Sequence, residues 1–175
     1  MKFLSFFTSS VIGLLLLFSV GCSKPQDTEE AHLHTVQAQD TLQAKAYPVM
    51  KTDAEWKRIL TSSQYRVLRK GSTELPFINE YNKNKEEGIY VCGACGQPLY
   101  SSETKYESGT GWPSFWKPIA LDNVQEKEDN SLFMSRTEIV CSNCGSHIGH
   151  VFDDGPQPTG LRYCMNSAAL NFIPK

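Results

Sequence analysis

The chain has no surplus of basic charge. Seventeen Lys and Arg stand against nineteen Asp and Glu, for a net charge of −2. The cations are scattered, not gathered into a stripe, which removes the electrostatic footprint of a nucleic-acid binder. There is no internal repeat and no low-complexity tract. No βαβ pattern surrounds either Cys-x-x-Cys pair, which counts against a thioredoxin-type redox motif. What the chain does have is 175 residues, enough for one domain with a real core. Twelve Gly and nine Pro argue for many turns and a β-rich body.

The amino terminus reads as a targeting segment. Met1-Lys2 gives a positive start, and Phe3 to Val20 is apolar apart from Ser5, the Thr8-Ser9-Ser10 break and Ser19. Small Gly21 then precedes Cys22. This is the layout of a secretory signal peptide over residues 1–21. The alternative is a single membrane-spanning anchor, disfavoured because the run is barely long enough and is interrupted by hydroxyls. Gly21-Cys22 also resembles a bacterial lipoprotein cleavage box, although Ser19 stands where an aliphatic residue is usual. Cys22 is therefore expected to carry a lipid, with a loose thiol as the alternative. The protein is expected to be exported and held to a membrane of the cell envelope. Residues 22–50 read as a flexible tether, polar from Ser23 to about Ala46. His32 and His34 within it are read as solvated. Residues 51–175 form the domain.

The domain opens with two short helices. Thr52 and Glu55 fit a capping box, and Trp56, Ile59 and Leu60 follow on one face. Thr61 to Gln64 repeats the pattern ahead of Tyr65, Val67 and Leu68, and Gly71 is the expected stop. These apolar residues are read as core.

Cys92-Gly93-Ala94-Cys95-Gly96 and Cys141-Ser142-Asn143-Cys144-Gly145 are near-copies. Each follows a β-type run, Ile89-Tyr90-Val91 and Glu138-Ile139-Val140, and each presents two sulfurs from a tight turn. The glycine after each second cysteine sits where such a turn can need positive φ. Cys92, Cys95, Cys141 and Cys144 together give a four-thiolate structural zinc pattern, one ion per chain, stapling two distant hairpins. Two disulfides are the alternative, kept open by the expected export.

Two further stretches carry chemistry. In Glu107 to Trp116, Pro113 pushes Trp112 toward an extended conformation, where the indole can wall a small apolar pocket. Phe115 and Trp116 are read as core. In Gly145 to Pro156, His147 and His150 would face opposite ways on a regular strand, but Gly149 between them allows a bulge that brings both to one side. Neutral imidazoles suit proton transfer near pH 7. The four sulfurs complete the metal, so neither histidine is read as a ligand. Cys164 is the one remaining cysteine. On an extended segment Arg162, Cys164 and Asn166 project together, and a nearby guanidinium favours the thiolate, which is the nucleophile. The competing reading is a buried, inert thiol.

Cys92-x-x-Cys95, Ser108-Gly-Thr-Gly-Trp-Pro-Ser-Phe115, Cys141-x-x-Cys144-Gly-Ser-His-Ile-Gly-His-Val-Phe-Asp-Asp-Gly-Pro156 and Arg162-Tyr-Cys-Met-Asn-Ser167 resemble the peptide methionine sulfoxide reductase B family. The likeness runs from about Asp53 to Pro174. It implies a mainly β fold of two small antiparallel sheets, with the structural zinc remote from the active face. It implies reduction of the R epimer of methionine sulfoxide, free or in proteins, a repair of oxidative damage. By that resemblance Cys164 attacks the sulfoxide and becomes sulfenic acid. His150 is the proton donor, and His147 helps hold the oxygen. Asp154 and Arg162 orient the site, with Asn166 beside the nucleophile. Trp112 holds the methyl group, and Phe152 belongs to the substrate site. Many members carry a resolving cysteine where this chain has Thr110. The cycle is therefore expected to lack an internal disulfide and to need a thioredoxin-like thiol donor. Nothing in the sequence demands more than a monomer. A metal-knuckle binding module without catalysis explains the four cysteines but not the segments around Trp112, His150 and Cys164. A membrane-tethered thiol oxidoreductase acting on disulfides is a third reading.

Overall fold

The structure, a computed structural model, describes residues 47–131 and 134–175. The signal peptide, Cys22 and the tether through residue 46, with His32 and His34, lie outside the described residues.

Helix α1 (Asp53–Ile59) and helix α2 (Ser62–Lys70) each begin in a reciprocal capping box. The Thr52 backbone N–H donates to Glu55 Oε2 at 2.7 Å and the Glu55 N–H donates to Thr52 Oγ1 at 3.3 Å. Thr61 and Gln64 exchange the same pair at 3.1 and 3.2 Å. Each box satisfies backbone donors that a helix start leaves unpaired. Gly71 ends α2 with φ 66°, the left-handed cap a glycine adopts without a Cβ penalty. Trp56, Leu60, Val67 and Leu68 are buried. Ile59 is not core: it is 50% exposed. A helix this short docks through Trp56 and Leu60, about 40° apart around the axis at 100° per residue, and that turns Ile59 to solvent.

Among the described residues nine strands form two antiparallel sheets. The smaller joins β1 (Gly88–Cys92), β2 (Pro98–Ser101) and β9 (Leu170–Pro174) in the order β2-β1-β9. The larger joins β3 (Lys105–Tyr106), β4 (Ser114–Phe115), β5 (Val124–Asp129), β6 (Arg136–Cys141), β7 (His147–Phe152) and β8 (Arg162–Met165) in the order β3-β4-β8-β7-β6-β5. Aromatic rings bind the sheets together. Phe115 of the larger stacks on Tyr100 of the smaller at 4.5 Å and meets Tyr90 edge-on at 5.1 Å. Both arrangements suit the ring quadrupoles. Phe115 is fully buried, but Trp116, the next residue along, is only half-buried at the rim, because successive strand side chains face opposite ways.

Only residues 47–50 of the stretch read as tether are described. Val49 packs against the core, and its N–H donates to the Asn143 carbonyl at 2.8 Å.

Register decides what shares the site. In the larger sheet Tyr106 pairs with Ser114, Ser114 with Cys164, Cys164 with His150, His150 with Glu138 and Glu138 with Lys127. Directly paired residues project to the same face, so these six form one row across the sheet. Cys164 and His150 are immediate neighbours in that row.

Candidate active site and metal centre

The two cysteine turns are built alike. Cys92 to Gly96 links β1 to β2, and Cys141 to Gly145 links β6 to β7. Gly96 N–H donates to Cys92 O at 2.8 Å, and Gly145 N–H donates to Cys141 O at 2.9 Å. Both glycines have positive φ, 76° and 67°. The turns come from different sheets and meet face to face, with all four sulfurs within 4.8 Å of one another. Cys92 and Cys144 Sγ lie 3.7 Å apart, and Cys95 and Cys141 Sγ 3.6 Å. A disulfide needs about 2.05 Å. Ligands at about 2.3 Å from a tetrahedral centre stand roughly 3.8 Å from each other, which these spacings match. The cysteines are free of disulfides. Four thiolates this close repel, and the Cys92 thiol is pushed far up through its contact with Cys141. The donor set fits one divalent, thiophilic cation.

Cys164 lies at the floor of a cavity of about 130 Å³. Trp112, His150, Phe152 and Asn166 line it, together with Thr73 and Arg136. The indole N–H of Trp112 donates to the Glu74 carbonyl at 3.1 Å, which fixes the ring as a wall. Asn166 is buried. Its Nδ2 donates to Ile148 O at 3.2 Å, and its Oδ1 accepts from Glu74 N–H at 3.1 Å. The Glu74 carboxylate in turn accepts from the backbone N–H groups of Ser167 and Ala168, capping the turn that follows Cys164.

The Cys164 thiol is pushed up, above its ordinary value, by burial. Contacts with Thr110 and the charge of Arg162 pull the other way and lose. The thiolate expected from Arg162 is thus not the resting state. Burial outweighs the guanidinium, and Arg162 is also held by Asp154, donating through Nε and Nη2 to both carboxylate oxygens at 2.8 and 2.9 Å. The clamped guanidinium lies 4.3 Å over the Phe152 ring. Arg162 thus faces both Cys164 and Phe152, while Asp154 acts by holding Arg162. Thr110 Oγ1 stands 3.8 Å from Cys164 Sγ, held by Ser108 at 2.8 Å.

The two histidines do meet. Pairing slips between Ile139 and Val140, leaving Ile148 as the extra residue of a bulge, and the rings of His147 and His150 come within 5.4 Å. Gly149 has a further reason to be glycine: a Cβ there would run into the Cys164 carbonyl and the Met165 backbone. His147 Nδ1 lies 2.6 Å from Glu138 Oε1, and His150 Nε2 lies 2.8 Å from Asp129 Oδ2. Both carboxyl pKa values are lowered, Glu138 by His147 and Asp129 by Ser131, so both act as acceptors. Burial holds the His150 imidazole below its ordinary value. His147 Nε2 is buried and has no partner among the described residues.

The sequence reading missed Thr73, Glu74, Asp129, Arg136 and Glu138. None lies in a motif. Only the β5–β6 register and the hydrogen bonds of Glu74 to residues 166–168 bring them in.

Comparison with known proteins fits this architecture. Residues 60–174 match the SelR domain. The chain is 61% identical over 124 residues to the peptide methionine sulfoxide reductase MsrB of Methanosarcina barkeri, covering 71% of this chain and 87% of that protein. It is 57% identical over 126 residues to the protein of the same name from Leptospira interrogans, covering 72% and 96%. A peptide methionine sulfoxide reductase MsrA/MsrB of Vibrio cholerae is 57% identical over 131 residues, 75% of this chain and 34% of that longer protein. The fold and site thus define a two-sheet β protein with a cavity cysteine and a four-sulfur cluster. The chain belongs to the peptide methionine sulfoxide reductase B family.

Proposed function

We infer that this protein reduces methionine-R-sulfoxide, free or in proteins, to methionine, and so repairs oxidised protein. The observation that carries this is the cavity itself. A nucleophile and an imidazole adjoin on its floor, between a Trp wall and a Phe wall able to take a thioether and its methyl group.

Cys164 sulfur attacks the sulfoxide sulfur as its proton passes to the base. The oxygen takes that proton and leaves the methionine sulfur as hydroxide. Hydroxide then attacks Cys164 sulfur, breaking the sulfur–sulfur bond and releasing methionine. Across the step one oxygen moves to Cys164. The methionine sulfur gains two electrons, Cys164 loses two, and no proton is gained or lost. His150 is the proton carrier. The unpartnered Nε2 of His147 supports a role in holding the oxygen. Asn166 and the Asp154–Arg162–Phe152 stack keep the cavity in shape.

Cys164 sulfenic acid is then attacked by a thiol of an external donor. Water leaves and a mixed disulfide forms. A second thiol of the donor breaks it, leaving the donor oxidised and Cys164 reduced. Thr110, at 3.8 Å, offers a hydroxyl where an internal route would need a thiol, which favours a thioredoxin-like dithiol.

Cys92, Cys95, Cys141 and Cys144 hold zinc in this reading. When bound, the ion supplies folding energy and no redox chemistry. Export as a lipid-anchored protein rests on the Met1 to Cys22 layout alone.

The test uses N-acetylmethionine R- and S-sulfoxides with dithiothreitol as donor. The expected result is loss of the R epimer only. Survival of both epimers overturns the reading.

A further inference from the structure

We infer that Asp129 is a positioning residue for the proton carrier: clamped by Arg136 and Ser131, its carboxylate fixes the His150 ring in the Nε2–H tautomer, so that the reaction's proton passes through Nδ1. This rests on the reductase reading above.

The geometry is specific. Asp129 Oδ2 accepts from His150 Nε2 at 2.8 Å and from Arg136 Nη2 at 2.6 Å. Asp129 Oδ1 accepts from the Ser131 backbone N–H at 3.0 Å. Arg136 Nη2 also reaches Ser131 Oγ at 3.2 Å. Asp129 and Arg136 are directly paired at the end of the β5–β6 hairpin, so the clamp is set by register rather than by loose side chains. Which imidazole nitrogen carries the proton follows from the bond the other one makes. An ionised carboxylate can only accept, so Nε2 must donate. Nδ1 is then the only nitrogen left to take or give a proton.

His147 is the contrast within the same site. It spends Nδ1 on Glu138 and keeps Nε2 free. Two carboxylates from neighbouring strands thus select opposite tautomers in two rings 5.4 Å apart.

Arg136 gives the clamp its second property. A carboxylate alone would hold the extra proton on His150 tightly. His150 shares its sheet face with Lys127 and Asp129 of β5, Arg136 and Glu138 of β6, and Arg162 and Cys164 of β8, with His147 on its own strand. Arg136 and His147 oppose the imidazolium, while Asp129 favours it. The ring is oriented without being made too strong a base to release its proton.

The experiment is nitrogen-15 NMR of the histidine rings in the intact domain, beside turnover of N-acetylmethionine R-sulfoxide. In the natural protein at neutral pH the His150 ring is expected as the Nε2–H tautomer. In Asp129→Asn the amide can donate to Nε2, and the ring is expected to shift toward Nδ1–H. Turnover falls by at least about tenfold, with metal content unchanged and partial rescue in Asp129→Glu. An Nδ1–H ring in the natural protein overturns the inference, and so does Asp129→Asn with the natural rate and pH profile. Should Asp129→Asn fail to fold, the tautomer of the natural protein decides alone. Absence of turnover in the natural protein is a failure of the reductase reading, and leaves the tautomer result standing.

Discussion

Five cysteines lie among the described residues, in two contrasting settings. Four sit in pairs on hairpin turns whose φ > 0 glycines aim both sulfurs of a pair at the same point. The fifth sits mid-strand, between a hydroxyl-bearing loop and an imidazole, with a cavity above it. The same side chain is made a ligand in one place and a nucleophile in the other by what surrounds it. In the cluster the nearest groups are other sulfurs, 3.6 and 3.7 Å away, which a shared cation would satisfy. At Cys164, Thr110 and Arg162 act against burial on the thiol proton, and His150 is its partner across the sheet.

The sharpest way to break this contrast is to remove a cluster sulfur. Cys92→Ser should lose the ion, and with it on the order of 10 kcal/mol of folding free energy, read as collapse of the thermal transition with loss of metal by elemental analysis. One zinc per natural chain is the matching expectation. Retention of fold and metal in that variant would erase the distinction between the two settings.

Cys164→Ser should do the opposite. Turnover is abolished while metal content and melting temperature stay close to the natural protein. Activity in that variant removes the mechanism.

The pH profile probes the fifth cysteine more finely. Productive enzyme carries one proton between Cys164 and His150, and the pair titrates as a unit. Burial lowers His150 and raises Cys164 from their ordinary values. Below the lower value the pair holds an extra proton and the thiol is trapped. Above the upper value no proton remains for the oxygen. The kcat/KM profile should therefore be a broad plateau across neutrality, its acid limb lying below the ordinary imidazole range and its alkaline limb above the ordinary thiol range. His150→Gln should lower the plateau by about a hundredfold and remove the acid limb. A narrow peak at neutral pH would contradict these directions.

The smallest effect is expected far from either setting. Gly71→Ala puts a Cβ on a left-handed cap with open space around it, so only backbone strain is added. It should cost about 1 kcal/mol in denaturant unfolding, with kcat unchanged.

Sequence legibility divides along the same line as range in the chain. Local features could be read directly: both capping boxes, the Gly71 stop, the paired cysteine turns and the bulge around Gly149. Each is decided within a few residues. Trp112, His150, Phe152, Cys164 and Asn166 could be singled out because they sit in unusual stretches, and one cavity gathers them. Asp129, Arg136 and Glu138 could not. They lie on β5 and β6, among charged residues that look like an ordinary solvated hairpin, and only the pairing of Asp129 with Arg136 turns them toward His150. Arg162 was visible as a cation near the nucleophile, but its capture by Asp154 and the burial of Cys164 are tertiary facts that reverse the net effect. Ile59 and Trp116 looked apolar enough for the core, and the docking angle of α1 and the strand alternation at β4 left them at the surface.

Strand β7 begins almost at the cluster. Cys144 is the last sulfur, and His147 comes three residues later, with His150 three beyond that. Such a short run of backbone transmits a displacement at one end almost undiminished to the other. The bolt that fastens the two sheets is therefore also the datum from which the imidazoles are measured. A shift of the Cys141–Gly145 turn would carry straight to His147 and His150.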